Sequence, residues 1–575
     1  NSGQHVLQED TWIGSSLANP LRLQYTERMG VTVVLDYLRG LHDAVNEQLR
    51  KVDPLFLVLG CIGGAIVVVR VRRVLSRSEK ALHKRLFAYA FSHLRRLPFV
   101  KRRIEEQLGP AKKDILLSIH KDDDDRVFIT ELPGSGFSSE EVFSLAEKYN
   151  GYGKFDVGRG MVSGTVYTDR SEQHIDLLTR IYTRYAYSNP LHPDVFPGVR
   201  KMEAEVIRMV LNLYNAPAAS SGSLTSGGTE SIIMACFAYR NLAHSKGIEN
   251  PVILCPITAH AAFDKAAHLC GMRIRHVPVD SSNRADLRAM KSMISSDVCA
   301  LVGSAPNYPT GTIDPIEEIS KLGLAYGIPV HVDACLGGFL IPFMESAGVS
   351  VPLFDFRLPG VTSVSCDTHK YGCTPKGSSI VMYRTLDLHH HQFFSCVEWV
   401  GGIYATPTIS GSRAGSNAAS AWATLLYFGR DEYIRRCGCI VKAARRLAKE
   451  AASIEGLEVF GSVDVSVVAF RSHSFNIYAV GDRLHKKGYN LNSLQNPDAI
   501  HVCLTYNHTS DESITTFLKD LREACAEVSQ LPDKGNSSKS AALYGMAAQI
   551  PDKSLVDEMA FAYLDACYAE PPKLE

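Results

Sequence analysis

The chain has 575 residues, 45% apolar and 21% charged, which suits a globular protein with a large core and more than one domain. Its 61 basic and 61 acidic side chains leave no net charge, which argues against a general nucleic-acid role, since that needs a basic face. Its 14 cysteines are scattered, with no CxxC pair and no tight Cys/His cluster, so a zinc site and a secreted disulfide framework are both disfavoured and reduced thiols are expected.

Residues 1–51 read as an N-terminal arm with one amphipathic stretch, "VTVVLDYLRGLHDAVNEQL". The run "PLFLVLGCIGGAIVVV" (54–69) follows and carries no charge over 16 residues. A spanning helix wants about 20 apolar residues, so length alone favours a buried core helix. The run is apolar all round, however, and it is followed by Arg70, Arg72, Arg73, Arg77, Lys80, Lys84 and Arg85. A single transmembrane helix over 52–70 is therefore expected, with Lys51 and Arg70 snorkelling at its ends. The positive-inside rule then places the following residues in the cytosol and the arm in the lumen. Gly60 and Gly64 form a GxxxG that lets two spans pack closely.

Residues 71–136 read as a basic, helical linker, closed by the acidic turn "KDDDD". From 137 to 431 the pattern alternates between helical stretches and short apolar runs: "PVILCP", "IRHVPV", "CALVGSAP", "IPVHVDA", "TSVSCD" and "SSIVMY". That alternation predicts an α/β domain, a mainly parallel sheet covered by helices on both faces. From 432 to 530 a helix, "EYIRRCGCIVKAARRLAKEAA", and strands such as "VSVVAFRS" predict a smaller α+β domain. The tail at 531–575 is Ser/Lys/Ala-rich and reads as peripheral, and there is no internal repeat.

In an open parallel sheet, ligands collect at the carboxyl ends of strands. Asp333 closes the strand "IPVHVD", and Lys370 follows "TSVSCD". A lysine at a partly buried strand end is expected to have a lowered pKa, which an amine needs to act as a nucleophile near neutral pH. The turn "TSGGTES" leads into a helix, and its Gly227, Gly228 and Thr229 offer backbone N–H groups and a hydroxyl to an anion. His260, in "TAHAAFDKA", is a further candidate. Taken singly, each has an ordinary reading: a cap, a surface lysine, a structural histidine. Together they match one chemistry, in which the lysine bonds an aldehyde cofactor, the Asp keeps a pyridine nitrogen protonated and the turn holds a phosphate: pyridoxal phosphate. No metal is implied.

Seven stretches carry a closer resemblance: "GRGMVSGTVYT", "YSNPLHPDVFPGVRKMEAEV", "TSGGTESI", "TAHAAFDKAA", "HVDACLGGF", "DTHKYGCTPKGSS" and "GGIYATPTISGSRAG". Over about residues 90–530, plus the apolar segment, the chain resembles the pyridoxal-phosphate enzymes of the aspartate-aminotransferase-like fold (fold type I). Within them it is similar to the group-II-decarboxylase-like branch, and within that branch to the eukaryotic, membrane-anchored sphingosine-1-phosphate lyase family. The resemblance implies that Lys370 bonds the cofactor, Asp333 pairs with its ring nitrogen and His260 stacks on its ring. Gly228, Thr229 and His369 would surround the cofactor phosphate. Ser412 would reach a neighbouring subunit's cofactor, because the family is dimeric with shared sites. Tyr167, Asn189, His192 and Lys376 resemble the family's substrate-side residues, and Tyr404 is a weaker match. Cys335, after "VDA", and Cys366, before "DTHK", depart modestly from the family pattern and place thiols near the site.

The implied substrate is a phosphorylated sphingoid base with phosphate on C1, amine on C2 and hydroxyl on C3. The implied reaction is aldolase-like cleavage of the C2–C3 bond to a long-chain fatty aldehyde and phosphoethanolamine, at the endoplasmic reticulum membrane. Lys376, a compact charge past the turn after Lys370, suits the substrate's phosphate. Lys370, His369 and a tyrosine are all open as the base that takes the C3 hydroxyl proton. An amino-acid decarboxylase with the same cofactor site is the competing enzyme reading, and a catalytically silent membrane scaffold is the competing non-enzyme reading.

Overall fold

Seven strands form the main sheet: β1 Ser221–Thr225, β2 Val252–Pro256, β3 Arg273–Val277, β4 Val298–Ser304, β5 Val330–Asp333, β6 Val361–Cys366 and β7 Ser379–Tyr383. Their order is β1-β7-β6-β5-β4-β2-β3. The computed structural model describes residues 94–95, 97–123, 128–538, 540 and 553–572. The arm at 1–51 and the span expected over 52–70 lie outside them, and among the described residues no helix is long and apolar enough to cross a membrane.

Strands β2 to β6 pair in parallel, while β7 runs antiparallel to both β6 and β1, so the sheet is mixed and mostly parallel. Alternate residues of one strand enter different cores. Ile253 and Cys255 of β2, with Val381 and Tyr383 of β7, pack under Ile232, Met234 and Tyr239 of helix α1, Gly228–Ser245. Val252, Leu254, Ile380 and Met382 face the opposite core, with Val206 and Val210 of the helix Pro197–Leu213. A strand buried on both sides must be apolar throughout, which is why these runs stand out in the sequence. The edge strand β1, "SGSLT", pairs with one neighbour and has no such signature; a Cβ on Gly222 would meet the Val381 carbonyl at 2.6 Å.

A two-stranded ribbon follows, β8 Phe394–Cys396 and β9 Tyr404–Thr406. A long helical element, Gly415–Ala451, then begins well before the helix expected from 432, and it is broken at Gly429, whose φ of 62° lies in the left-handed region that glycine tolerates. Beyond it stands an antiparallel sheet of β10 Glu458–Phe460, β11 Val467–Arg471, β12 Asn492–Leu494 and β13 Ala499–Cys503, in the order β10-β11-β13-β12. The late helix Lys553–Tyr568 packs on the early helix Pro98–Ile119: Arg95 bonds Ser554 and Glu558, and His120 Nε2 lies 3.2 Å from the Ala566 carbonyl.

Candidate active site

The carboxyl ends of β1, β2, β5 and β6 open on one side of the sheet, and each delivers candidate residues there. After β1, the backbone turns at Gly227 directly into α1, with no side chain capping the helix. The first amides of α1 are thus free to meet an anion. A Cβ on Gly228 would lie 2.8 Å from both Asp367 Oδ1 and Cys335 Sγ, so only glycine fits between them. Thr229 stands exposed in the first turn. Past β2, His260 is exposed, its Nδ1 accepting the Ala262 N–H at 3.0 Å, with Tyr308 edge-on at 6.5 Å.

Asp333 ends β5. Its buried Oδ1 accepts the Cys335 N–H at 3.0 Å and the Ser365 hydroxyl at 3.2 Å. Beneath it, His331 lies 3.2 Å from Ser365 Oγ through Nε2 and 2.7 Å from Ser363 Oγ through Nδ1. Burial pushes the His331 imidazole down to about 4, with Asp333 opposing, so the ring stays neutral while it braces the carboxylate.

Just past β6, Lys370 Nζ sits 3.0 Å from Asp367 Oδ2, and His369 Nε2 is 3.6 Å from the same oxygen. Burial pushes the Asp367 carboxyl up, but Lys370 and His369 outweigh it and hold the group below its usual value. Burial also pushes the Lys370 amine down, yet Asp367 more than reverses this, and the free amine ends well above its ordinary value. The expectation that burial lowers this amine is therefore corrected: the buried carboxylate three residues earlier decides the sign. His369 accepts the Ser378 N–H at 3.3 Å and borders Gly227; burial lowers its pKa, Asp367 opposes and Lys376 assists. The next residue ties this turn to the small sheet: Tyr371 Oη donates to the Leu504 carbonyl at 2.6 Å and meets Ser466 Oγ at 2.7 Å.

Lys376 returns to the same region. Its ammonium lies 5.0 Å from the centre of the Tyr167 ring, and Tyr167 packs edge-on against Tyr371 at 4.8 Å. Burial, then the charge of Lys370, lowers the Lys376 amine. Burial, then Cys503, raises the Tyr167 phenol, which stays protonated.

A second cluster forms on neighbouring loops. Asn189 donates to Ser412 Oγ at 3.1 Å and accepts the Arg413 N–H at 3.1 Å. Arg413 forms a two-pronged ion pair with Glu203, and a Cβ on Gly411 would lie 2.6 Å from Tyr404 Oη. Exposed His192 follows one turn after Asn189. Ser412 lines a cavity of about 200 Å³ with Ser226 and Gly377 of its own chain, so this cluster abuts the glycine-rich turn. Sequence reading gave no role to Asp367, Tyr308, Cys503, Glu203 or Arg413. For Asp367 the signal was present, an acid three residues before the lysine, but its direction in a loop was not legible.

The residues fit a pyridoxal phosphate: an amine for its aldehyde, a buried carboxylate for its ring nitrogen and an uncapped helix start, shaped around a glycine, for its phosphate. Residues 166–473, more than half of the chain, match the model of the pyridoxal-dependent decarboxylase conserved domain. Sphingosine-1-phosphate lyase 1 of Rattus norvegicus is 44% identical over 529 residues, 92% of each chain. Among solved structures, the sphingosine-1-phosphate lyase of Burkholderia pseudomallei superposes with a TM-score of 0.66 at 36% identity, over 73% of this chain and 96% of that one. A glutamate decarboxylase of Lactobacillus brevis superposes with a TM-score of 0.62 at 20% identity, over 72% and 98%, which shows the shared fold alone. The chain belongs to the sphingosine-1-phosphate lyase family of pyridoxal-dependent enzymes.

Proposed function

We propose that the protein is a pyridoxal-phosphate-dependent lyase that splits the C2–C3 bond of phosphorylated sphingoid bases into a long-chain fatty aldehyde and phosphoethanolamine. The observation that carries this reading is the second cation. Lys370 serves the cofactor, and Lys376, over the Tyr167 ring, stands beside it and outside the glycine-rich turn, where a substrate phosphate needs charge.

When bound, the cofactor supplies a sink for the electron pair released as the C2–C3 bond breaks. Lys370 is the residue that would bond its aldehyde, and Asp333, fixed by Cys335 and Ser365, would hold a proton on its ring nitrogen. The first amides of α1, with Thr229 and His369, would bind its phosphate, and His260 would cover one ring face. Lys376 and Tyr167 bind and orient the substrate phosphate, with Asn189 and His192 on the adjoining loop and Tyr404 at the start of β9. The C3 hydroxyl proton passes to Lys370, His369 or a tyrosine.

We place the catalytic part in the cytosol at the endoplasmic reticulum membrane, because the apolar run 54–69 and the arginines after it read as one span. The active form is a homodimer in which Ser412 completes the neighbouring site. Carbonate extraction of membranes tests the first, and mixing Ser412→Ala with Lys370→Ala chains tests the second by whether activity is restored in the hybrid. The main reading is tested by product analysis. Dihydrosphingosine phosphate is expected to yield fatty aldehyde and phosphoethanolamine; carbon dioxide from glutamate or an aromatic amino acid, without aldehyde from the sphingoid base, would establish a decarboxylase instead.

A further inference from the structure

Asp367 is a deeply buried ionisable group in contact with the cofactor lysine, and the chemistry above gives it no part. Its carboxylate is 2% exposed. One oxygen, Oδ2, faces the Lys370 amine at 3.0 Å and His369 at 3.6 Å. The other, Oδ1, is buried and makes no direct hydrogen bond among the described residues, although the Ser379 hydroxyl lies close enough to help hold the carboxyl low. Leaving a buried carboxylate oxygen unpaired is costly, and such a group persists where it has work that a neutral side chain cannot do.

The groups around Lys370 identify that work. From its own turn come Asp367, His369 and Lys376; from the loop after β5, Cys335; from the loop at 158–168, Tyr167; from β13, Cys503. Burial keeps the Cys335 and Cys503 thiols and the Tyr167 phenol protonated and neutral, and Lys376 repels a second cation. That leaves Asp367 as the anion in contact with the amine.

We propose that Asp367 governs the charge on Lys370: its carboxylate keeps the free amine as an ammonium and takes that proton when the amine bonds the cofactor. The step balances within the pair. The ammonium proton moves to Asp367 Oδ2, and the nitrogen lone pair forms the bond to the aldehyde carbon. The two remaining amine hydrogens leave with the carbonyl oxygen as water. When substrate displaces the lysine, the proton returns, and the released amine is held as a charged, non-nucleophilic group that does not compete for the aldehyde, which leaves His369 or a tyrosine, of the bases named above, to take the C3 hydroxyl proton. Asp367 is thus a positioning residue that acts through Lys370.

The proposal rests on Lys370 being the cofactor lysine, and both are tested together. Full-length protein loaded with pyridoxal phosphate is reduced with borohydride and the modified lysine located by mass spectrometry. The same protein, stripped of cofactor, is treated with an amine-acylating reagent across a pH series, and labelling of Lys370 is compared with that of exposed Lys265. Wild-type Lys370 is expected to need a higher pH than Lys265 to label. Asp367→Asn is expected to label Lys370 at least about tenfold faster than wild type at neutral pH, because an opposite charge in contact moves a pKa by about one unit or more. Asp367→Glu is expected to restore slow labelling. If the reduced adduct is not on Lys370, the reading of the lysine falls and this proposal with it. If the adduct is there but wild-type Lys370 labels at lower pH than Lys265, the role of Asp367 alone is overturned, a result that needs no variant to fold. Unchanged Lys370 labelling in folded Asp367→Asn overturns it equally.

Discussion

The strand-end cluster and the loop cluster hold their residues in different ways. Lys370, Asp367 and Asp333 hang from the ends of β5 and β6, strands buried on both faces, and the Lys370 ammonium meets the Asp367 carboxylate at 3.0 Å. Asn189 and Ser412 stand on surface loops beside Tyr404 at the start of β9, the first two joined by a neutral hydrogen bond and the Ser412 loop secured by the Glu203–Arg413 pair. Covalent chemistry on a small ring needs fixed placement and controlled protonation, which a buried sheet end provides. A long flexible substrate must enter and leave, which suits loops. Damage to the first cluster is therefore expected to abolish chemistry or folding, and damage to the second to change how well substrate binds.

The largest effect is expected from Lys370→Ala, which removes the visible absorbance band of the bound cofactor and all turnover above background. In the cofactor-free protein it also leaves Asp367 as an unpaired buried anion, at a cost of about 3–5 kcal/mol in denaturant unfolding at neutral pH. The sign with pH follows from Asp367. Paired with Lys370, its carboxyl lies below the usual value, so its stabilisation is present above the unfolded carboxylate pKa and is lost as pH falls through the folded one. In the variant burial is opposed only by His369 and the Ser379 hydroxyl, so the carboxyl rises and the penalty shrinks on acidification; a penalty independent of pH would break this account.

Beneath the same cluster, His331 titrates near 4 when folded against 6.5 when free. Stability is thus full above pH 6.5 and falls as the pH drops toward 4, by about 3 kcal/mol for this ring. Thermal unfolding across that window is expected to show the loss, and His331→Gln to flatten it in part. Lys376→Ala tests the border between clusters. It is expected to keep the cofactor band and lower kcat/KM about tenfold to a hundredfold, the loss of a charge-assisted hydrogen bond. Gly228→Ala is expected to cost about 1–3 kcal/mol through overpacking against Asp367 and Cys335, read as faster cofactor release on dialysis. The smallest effect is expected from Glu203→Gln, a few-fold rise in KM with the band unchanged. A lost band there would show that the loops, too, shape the cofactor site.

Much of this was legible before the fold was seen. β2, β4, β5 and β7 stand out because strands buried on two faces admit few polar residues, and Asp333, Lys370 and the Gly-Gly turn interrupt that text where charge or bare backbone is otherwise out of place. β1 was not legible, because Ser, Gly and Thr in an edge strand look like a loop. Nor was the helix that begins at Gly415 and ends at the Gly429 break, because its opening "GSNAAS" looks like a loop.

By itself the sequence determined the chemical inventory: the lysine, the acid, the glycine turn, the second lysine and the apolar run before the catalytic part, since residue type and strand position are local properties. Tertiary structure alone decided how these act on one another. That Asp367 points back at Lys370, that Tyr371 staples the lysine turn to the small sheet and that Glu203 fixes the Ser412 loop all depend on directions in space between distant segments. Coulomb energy and hydrogen bonding fall steeply with distance and angle, so the sign of the Lys370 shift could not be read until those directions were known.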